Sequence, residues 1–578
     1  MIPSVESAGN YIENLGIQES SAVSAATHSK VRDSMLSLRQ LRKASCAMLA
    51  MLAVLLLLMN YLASVALGQD KRMYSPPYRW RQSLIIALSR LSMEPTSGYL
   101  GHRTIQDYFT DNGLALFSHE PGFDPSAPLR WLQVQADGSA LDGLIDNAIK
   151  LPIDRALQPV LLLANEIGTV DYFYLSFLMF GPRVSSLFYI YYFILAFSSA
   201  LFLVQFHRSP PRLFLLCAYA AAHYFMVSVY IPNSYWQLAT VHNNRFLSTL
   251  GLLPMLHLLC TVLAPKERLT GFALIASVGQ ASILAFLTLC RLEVAWELFA
   301  VMLASIYVAL LLLSRRRWSV LQVDRRLKPF FILGLSGFAL AFVVIYPHGA
   351  LDARYANESG THLFWHGVLV NLIESDHHLY ELYRVRPEDG YPTGDDDYIG
   401  AVLIEKELTA RGDASSPIAY WQDGKVKIHM DYFNGEYDRL LRPLVFKLIF
   451  NYPVESVHAV AAPFQQFFTS TLRERGVYSP SNLKVPAAMV LAAFFFLRLC
   501  RRCILIKRCY VRMIGFVFFV LFCLSLPSIW IGAFLAVGSI TLIVMAFLVG
   551  TAAVAMMLLE LARQVGVAIA TRLATRTR

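Results

Sequence analysis

Long apolar runs recur along the whole chain, and they constrain the fold more than any other feature of the sequence. Each run is about 20 residues long, the length that an α-helix needs to cross the roughly 30 Å hydrocarbon core of a bilayer. Only 16% of the 578 residues are charged, against about 25% in ordinary soluble domains. Because backbone groups in lipid must be hydrogen-bonded within the protein, these runs are expected to be helices. The sequence therefore predicts an all-α polytopic membrane protein.

The runs predict about ten transmembrane helices and divide the chain into seven regions. These are a cytoplasmic N-terminal tail (1–43), a first transmembrane anchor (44–67), a first extracytoplasmic loop with amphipathic helices (68–180), transmembrane helices 2–7 (181–346), a second extracytoplasmic domain with a hairpin and amphipathic helices (347–485), transmembrane helices 8–10 (486–559) and a basic cytoplasmic tail (560–578). The end of the first anchor, "SVA", is compatible with signal-peptidase cleavage, but the long polar leader and the full-length apolar run favour an uncleaved anchor.

The distribution of basic residues predicts the orientation in the membrane. With the N-terminus in the cytoplasm, ten spans place "FHRSPPR", "PKER", "SRRRW", "RLCRRC" and "TRLATRTR" on the cytoplasmic side, as the positive-inside rule requires. Residues 349–485, on the opposite side, carry 19 acidic and 13 basic residues. We therefore expect an inner-membrane protein with both termini in the cytoplasm. Because the net charge of +10 comes from these connecting clusters, it does not indicate a nucleic-acid partner.

The second large polar segment has the pattern of a small α+β extracytoplasmic region. "AYWQDGKVKIHMDYF" contains two alternating strands around Asp423-Gly424, a pair suited to a tight hairpin turn. The following "YDRLLRPLVFKLIFNYPVESVHAVAAPFQQFF" predicts two amphipathic helices broken near Pro453. Their apolar faces need a partner, which is either the hairpin or the membrane interface.

The stretch "THLFWHGVLV" places His362 and His366 on one face, whether it forms a helix or a strand. Carboxylates follow closely, and imidazole with carboxylate can bind a divalent metal. The alternative is that Phe364 and Trp365 anchor the chain at the membrane interface while the histidines bond to local backbone. The sequence holds no Walker, dinucleotide or zinc-protease motif, so we expect no cofactor beyond a possible divalent metal.

A second polar stretch, "PNSYWQLATVHNNR", lies at the mouth of two predicted spans. His242, Asn244 and Arg245 in this position would suit an anionic ligand such as a phosphate. The alternative is interfacial anchoring by Tyr235 and Trp236, with the Arg245 side chain extending towards the headgroups.

Two fragments carry a resemblance to known proteins. "VHNNRFLSTLGLLPMLHL" (241–258) and "THLFWHGVLVN" (361–371) resemble segments of uncharacterised bacterial polytopic membrane proteins with a His-x-Phe-Trp-His motif. The layout of an anchor, a long first outer loop, a many-span bundle and a late outer domain is similar to that of GT-C glycosyltransferases, which use polyprenyl-phosphate sugars. Those enzymes carry one or two acidic residues early in the first outer loop. Here the first candidate is the single Asp70 in "GQDKR", and no acidic pair follows it.

The resemblance implies a glycosyltransferase that moves a sugar from a polyprenyl-phosphate donor on the extracytoplasmic side. The expected partners are membrane lipid and that lipid-linked sugar. In this hypothesis Asp70 or Asp111 is the catalytic base. The expected substrate-binding residues are His242, Asn244 and Arg245 for the lipid phosphate, with His362 and His366 shaping the site.

The alternative function is non-enzymatic, namely a membrane scaffold or a transporter of the cell envelope. The predicted spans hold few ionisable residues, chiefly His223, His257 and Glu297, which disfavours an ion-coupled pump.

Overall fold

A computed structural model gives the fold of most of the chain. The ranges that it describes are 43–73, 77–92, 98–115, 126–153, 159–162, 166–233, 240–263, 270–314, 323–353, 364–391, 398–412, 419–422, 425–428, 435–466, 541–542 and 544–550, together with a few isolated positions. These residues are mostly helical.

In chain order, the helices and strands are α1 (Lys43–Ala66), α2 (Pro77–Ser92), α3 (Arg103–Phe109), α4 (Ala127–Ala136), α5 (Gly138–Ile149), α6 (Ile167–Phe180), α7 (Val184–Phe206), α8 (Pro210–Tyr230), α9 (Asn244–Val262), α10 (Gly271–Cys290), α11 (Ala295–Ser314), α12 (Val323–Ala350), α13 (Phe364–Ser375), α14 (His377–Tyr383), α15 (Ile399–Arg411), β1 (Ala419–Gln422), β2 (Lys425–Ile428), α16 (Gly435–Asn451) and α17 (Pro453–Gln466). A π-helical turn, Thr110–Leu114, extends α3.

Seven helices within the described ranges are long and apolar enough to cross a membrane, and they are α1 and α7 to α12. They correspond to the first seven predicted spans, so the multi-pass helical class is confirmed. Helix α9 is the central one, with 89% of its most apolar stretch buried, whereas α1 and α12 are each 28% buried and lie at the periphery of the bundle. The prediction of ten spans stays a prediction, because most of residues 486–559 lies outside the described ranges.

The helix ends follow local sequence signals. Asn243 precedes α9, and its side-chain oxygen accepts a hydrogen bond from the Arg245 backbone N–H at 3.0 Å. Thr270 caps α10 in the same way through the N–H of Ala273. Prolines occupy the first turn of α8, where the missing N–H costs nothing.

The first loop, residues 68–180, packs into the same apolar core as the bundle. Helices α2 to α6 lie in this loop. Helix α2 lies against α6, and the ring of Trp80 meets the edge of Phe173 at 4.7 Å between centroids. The first loop is therefore an integral part of the bundle core.

A second apolar cluster is built from α13 to α17 and the hairpin. Strands β1 and β2 pair antiparallel, with Gln422 opposite Lys425, so the two strands of the predicted hairpin are present, while its turn residues Asp423 and Gly424 lie outside the described ranges. The predicted break near Pro453 is also confirmed, because α16 ends at Asn451 and α17 begins at Pro453.

A hydrogen-bond network joins α1, α7, α8 and α9 inside the bundle. The amide nitrogen of Asn60 donates to the Ala220 carbonyl at 2.9 Å, and its oxygen lies 2.9 Å from His223 Nδ1. The other ring nitrogen of His223 lies 2.5 Å from the hydroxyl of Tyr191, which in turn lies 2.9 Å from that of Thr249. These buried groups satisfy one another and hold four helices together.

A second network joins α7, α9 and α10. Ser198 donates to the side-chain oxygen of Gln280 at 2.7 Å, and the amide nitrogen of Gln280 lies 3.3 Å from His257 Nδ1. His257 Nε2 lies 2.8 Å from the side-chain oxygen of Gln205, whose amide nitrogen donates to Thr261. The two networks fix the helices that carry the site described next.

Candidate functional site

The segment that follows α1 runs beside the residues that precede α9. The side-chain oxygen of Gln69 accepts a hydrogen bond from the backbone N–H of Val241 at 3.0 Å. The backbone of Arg72 contacts the imidazole of His242. Asp70 lies in the chain between Gln69 and Arg72, shortly after the end of α1, and is half-buried. The structure thus brings the predicted residues Asp70 and His242 into one region.

His242 is buried among aromatic side chains. Its ring meets Trp80 edge-on, with 6.0 Å between centroids. Burial lowers the pKa of His242 to about 3, although the nearby backbone of Arg72 acts in the opposite direction. The imidazole is therefore uncharged at neutral pH, and it can offer a ligand a hydrogen bond but no positive charge.

Helices α4 and α5 pack closely onto the same segment. The backbone N–H of Met73 donates to the carbonyl of Gln135 at 3.3 Å. At the start of α5, a Cβ on Gly138 would overlap the backbone oxygen of Lys71. Only glycine permits this close approach, which brings the backbone at the end of α4 against the segment that follows α1.

Several polar atoms in this region are buried without a hydrogen-bond partner among the described residues. They are Asp70 Oδ1, Thr240 Oγ1, both amide atoms of Gln135 and both ring nitrogens of His242. Buried polar groups in native proteins are nearly always paired, so this arrangement needs a water molecule or a ligand to complete it. We call Asp70, Gln135, Thr240 and His242 the polar site. It offers a carboxylate, an amide, a hydroxyl and an imidazole, which together suit a polar ligand rich in hydroxyl groups.

Asp111, the second predicted base, lies elsewhere in the first loop. It is exposed on the π-helical turn that follows α3. The preceding residue, Thr110, accepts a hydrogen bond at 3.0 Å from Arg81, which is fully buried on α2. Of the two predicted bases, Asp70 is therefore the one that belongs to the polar site.

Arg245 lies in the first turn of α9, three residues after His242, and is half-buried. Its predicted role in binding a phosphate stays a prediction. The side chain of Asn244 and all of His362 lie outside the described part of the chain, so their predicted roles stay predictions.

His366 belongs to the second apolar cluster. Its Nδ1 lies 3.2 Å from the hydroxyl of Tyr437, and Gly400 leaves room for that hydroxyl, because a Cβ there would overlap it. The structure thus groups His366 with Tyr437, whereas Asp70 and His242 lie in the first cluster. Within the described ranges, no three His, Cys, Asp or Glu side chains are arranged to hold a metal ion. The acidic run 395–397 lies outside those ranges.

A separate polar cluster, not predicted from the sequence, holds the first loop against the bundle. Arg90 Nη1 lies 2.6 Å from Asp171 Oδ1 on α6, and Tyr99 donates to the same carboxylate at 2.9 Å. The hydroxyls of Tyr99 and Tyr346 on α12 lie 2.6 Å apart. Tyr99 has a φ of 61°, a left-handed conformation that is costly for a residue with a side chain. Its contacts with α6 and α12 compensate for that cost.

Sequence reasoning missed Arg81, Gln135 and Thr240. A weak signal for Arg81 is its position in "YRWRQ", where it directly follows Trp80 and precedes the apolar run "LIIAL".

The comparisons with known proteins give no match: no family model fits the sequence, and no curated protein or solved structure is similar to it.

Proposed function

We propose that this chain is a GT-C-like glycosyltransferase of the inner membrane, which transfers a sugar from a polyprenyl-phosphate donor on the extracytoplasmic side. In this proposal the chain has ten spans, both termini are cytoplasmic, and residues 347–485 form an extracytoplasmic α+β region. One observation supports the proposal. A carboxylate oxygen of Asp70 is buried without a hydrogen-bond partner among the described residues, close after α1, a candidate span that is mostly exposed.

In the proposed reaction, Asp70 accepts the proton of an acceptor hydroxyl as that oxygen attacks the anomeric carbon of the donor sugar. The bond between that carbon and the phosphate oxygen breaks, and polyprenyl phosphate leaves with the electron pair. Arg245 would offset the charge on the departing phosphate. His242, being uncharged, would orient a hydroxyl by a hydrogen bond.

The position of the polar site suits a substrate with a long lipid chain. Leu58, Leu62 and Val65, on the last turns of α1, are exposed apolar side chains. A polyprenyl chain could lie along this face of α1 while its phosphate and sugar reach Asp70. A half-buried carboxylate in a polar pocket avoids the cost of several kcal/mol that a lipid-facing charge would carry.

A non-enzymatic scaffold is the second candidate. It is supported by the two interhelical networks, in which Asn60, His223, Gln280 and His257 are hydrogen-bonded to neighbouring helices. Groups paired in this way hold a bundle together and do not line a path for a transported solute. A scaffold is thus better supported than a transporter.

The test replaces Asp70 with asparagine in the full chain and measures surface glycan in cells. Loss of a general base should slow transfer by about 10² to 10⁴, so Asp70→Asn should abolish the glycan at a normal membrane level of protein. The matched control is Asp107→Asn, because Asp107 is an exposed acid of the same loop whose ion pair with Arg103 is 3.8 Å long.

Asp111→Asn, measured in parallel, separates the two predicted bases. If both Asp70→Asn and Asp111→Asn keep full glycan while deletion of the whole chain removes it, the enzyme proposal fails and the scaffold is favoured.

A further inference from the structure

Helices α16 and α17 meet at a corner whose apolar side chains are largely exposed in the described part of the chain. Phe450, Val454 and Val457 are 79%, 76% and 72% exposed. Scattered exposed apolar residues are common, but adjacent ones with so much exposure indicate a surface that contacts something other than water.

Helix α16 is apolar on two opposite sides. One side, with Tyr437, Leu441 and Val445, is buried in the second apolar cluster. The other side carries Phe446 and Phe450, four residues apart and therefore one above the other on the helix surface. The outer side is thus organised as a stripe that continues onto α17.

The stripe combines aromatic and basic side chains. Arg442, one helical turn before Phe446, places its guanidinium carbon 5.8 Å from the ring centroid of Trp365. The same ring lies 5.1 Å from that of Phe446. Lys447, beside Phe446, is exposed and lies 3.6 Å from the carboxylate of Glu407 on α15. Tryptophan and basic side chains above an apolar face are typical of segments at the boundary between lipid headgroups and acyl chains.

The chain connection keeps this surface close to a bilayer. Helix α12 is a candidate span and ends at Ala350, and α13 begins at Phe364. The thirteen residues 351–363 between them can extend at most about 45 Å. The second apolar cluster is thus tethered within reach of the membrane that α12 crosses, and the lipid surface is its nearest large apolar partner.

We propose that the corner formed by Trp365, Arg442, Phe446, Phe450, Val454 and Val457 rests in the lipid interface. The valines and phenylalanines insert among the upper acyl chains. Trp365 lies at headgroup level, and Arg442 and Lys447 bind anionic lipid phosphates. This contact fixes the orientation of α13 to α17 on the membrane, and it is independent of the activity of the polar site.

The test places a photoreactive side chain at the corner of the full-length protein. Phe450→p-benzoylphenylalanine is reconstituted in vesicles of phosphatidylethanolamine and phosphatidylglycerol, irradiated and examined by mass spectrometry. The matched control is Thr409→p-benzoylphenylalanine, because Thr409 is exposed on α15 away from the apolar stripe. Burial in the interface should give about ten times more lipid adduct at 450 than at 409.

Val457→p-benzoylphenylalanine repeats the measurement on α17 and should also give lipid adducts. Cross-links at both sites to protein, either within the chain or to a second copy, would overturn the proposal in favour of a protein contact. Equal, background-level adduct at 450, 457 and 409 would show that the corner faces water and would overturn it as well.

Discussion

Replacing Asn60 with leucine tests whether the first interhelical network holds the bundle together. The Asn60 side chain is fully buried on α1 and makes two contacts with α8, one to the Ala220 carbonyl and one to His223 Nδ1. A third bond, to Leu56, stays within α1. Leucine has a similar volume, so the substitution removes both interhelical bonds with little change in packing.

The expected loss follows from these two bonds. Interhelical hydrogen bonds in membrane proteins contribute about 0.6 to 1.7 kcal/mol each, and the substitution also leaves a buried ring nitrogen of His223 unpaired. We expect Asn60→Leu to lower the free energy of unfolding by about 2 kcal/mol, a change of about thirty-fold in the equilibrium constant. The assay is reversible unfolding of the full chain in mixed micelles with increasing sodium dodecyl sulfate.

Ser199→Ala is the matched control. The Ser199 side chain is equally buried, but its hydrogen bond goes to Leu195 on its own helix, so its removal should change stability by less than about 0.5 kcal/mol. An Asn60→Leu variant as stable as Ser199→Ala would refute the reasoning. So would strict additivity of Asn60→Leu and His223→Leu, because two residues that bond to each other should lose less together than the sum of their separate losses.

Two further predictions concern packing and pH. Gly168→Ala on α6 should destabilise the bundle by about 3 kcal/mol, because its Cβ would overlap the backbone of Leu289. Gly271→Ala should have little effect in the same unfolding assay, since nothing lies within 4 Å of its Cβ position. In the folded protein the pKa of His242 is about 3, below its ordinary value of 6.5. The unfolded chain therefore binds the proton more readily, and the free energy of unfolding falls as the pH drops below 6.5. Acidification from pH 7 to 5 should therefore cost about 2 kcal/mol through this residue, and His242→Gln should lack that loss; an unchanged pH dependence in His242→Gln would contradict it.

The sequence predicted the spans well because their signal is local. A run of about 20 apolar residues can be recognised without any knowledge of its neighbours, and α7 and α11 lie within residues 181–346, where the sequence predicts transmembrane helices. The hairpin and the helix break at Pro453 were predictable for the same reason, since turn residues and proline act on the chain next to them.

The polar site was predictable only in part. Asp70 and His242 stood out because each follows or precedes an apolar run, but their proximity depends on contacts such as that of Gln69 with Val241, 172 residues apart. Gln135 was missed because a polar residue in an amphipathic helix looks like an ordinary exposed position. Its burial follows from the close approach at Gly138, which composition and periodicity do not reveal.

The contact of Tyr99 with Tyr346 has a consequence for the biogenesis of the protein. These residues are 247 positions apart in the sequence. Beside them, the backbone N–H of Asp352 donates a hydrogen bond at 3.1 Å to the carbonyl of Gly98. During synthesis the N-terminal segment emerges long before α12 has been made and inserted. The strained turn at Tyr99 can gain its last partner only when that late helix arrives, so assembly of this region must wait for insertion of α12.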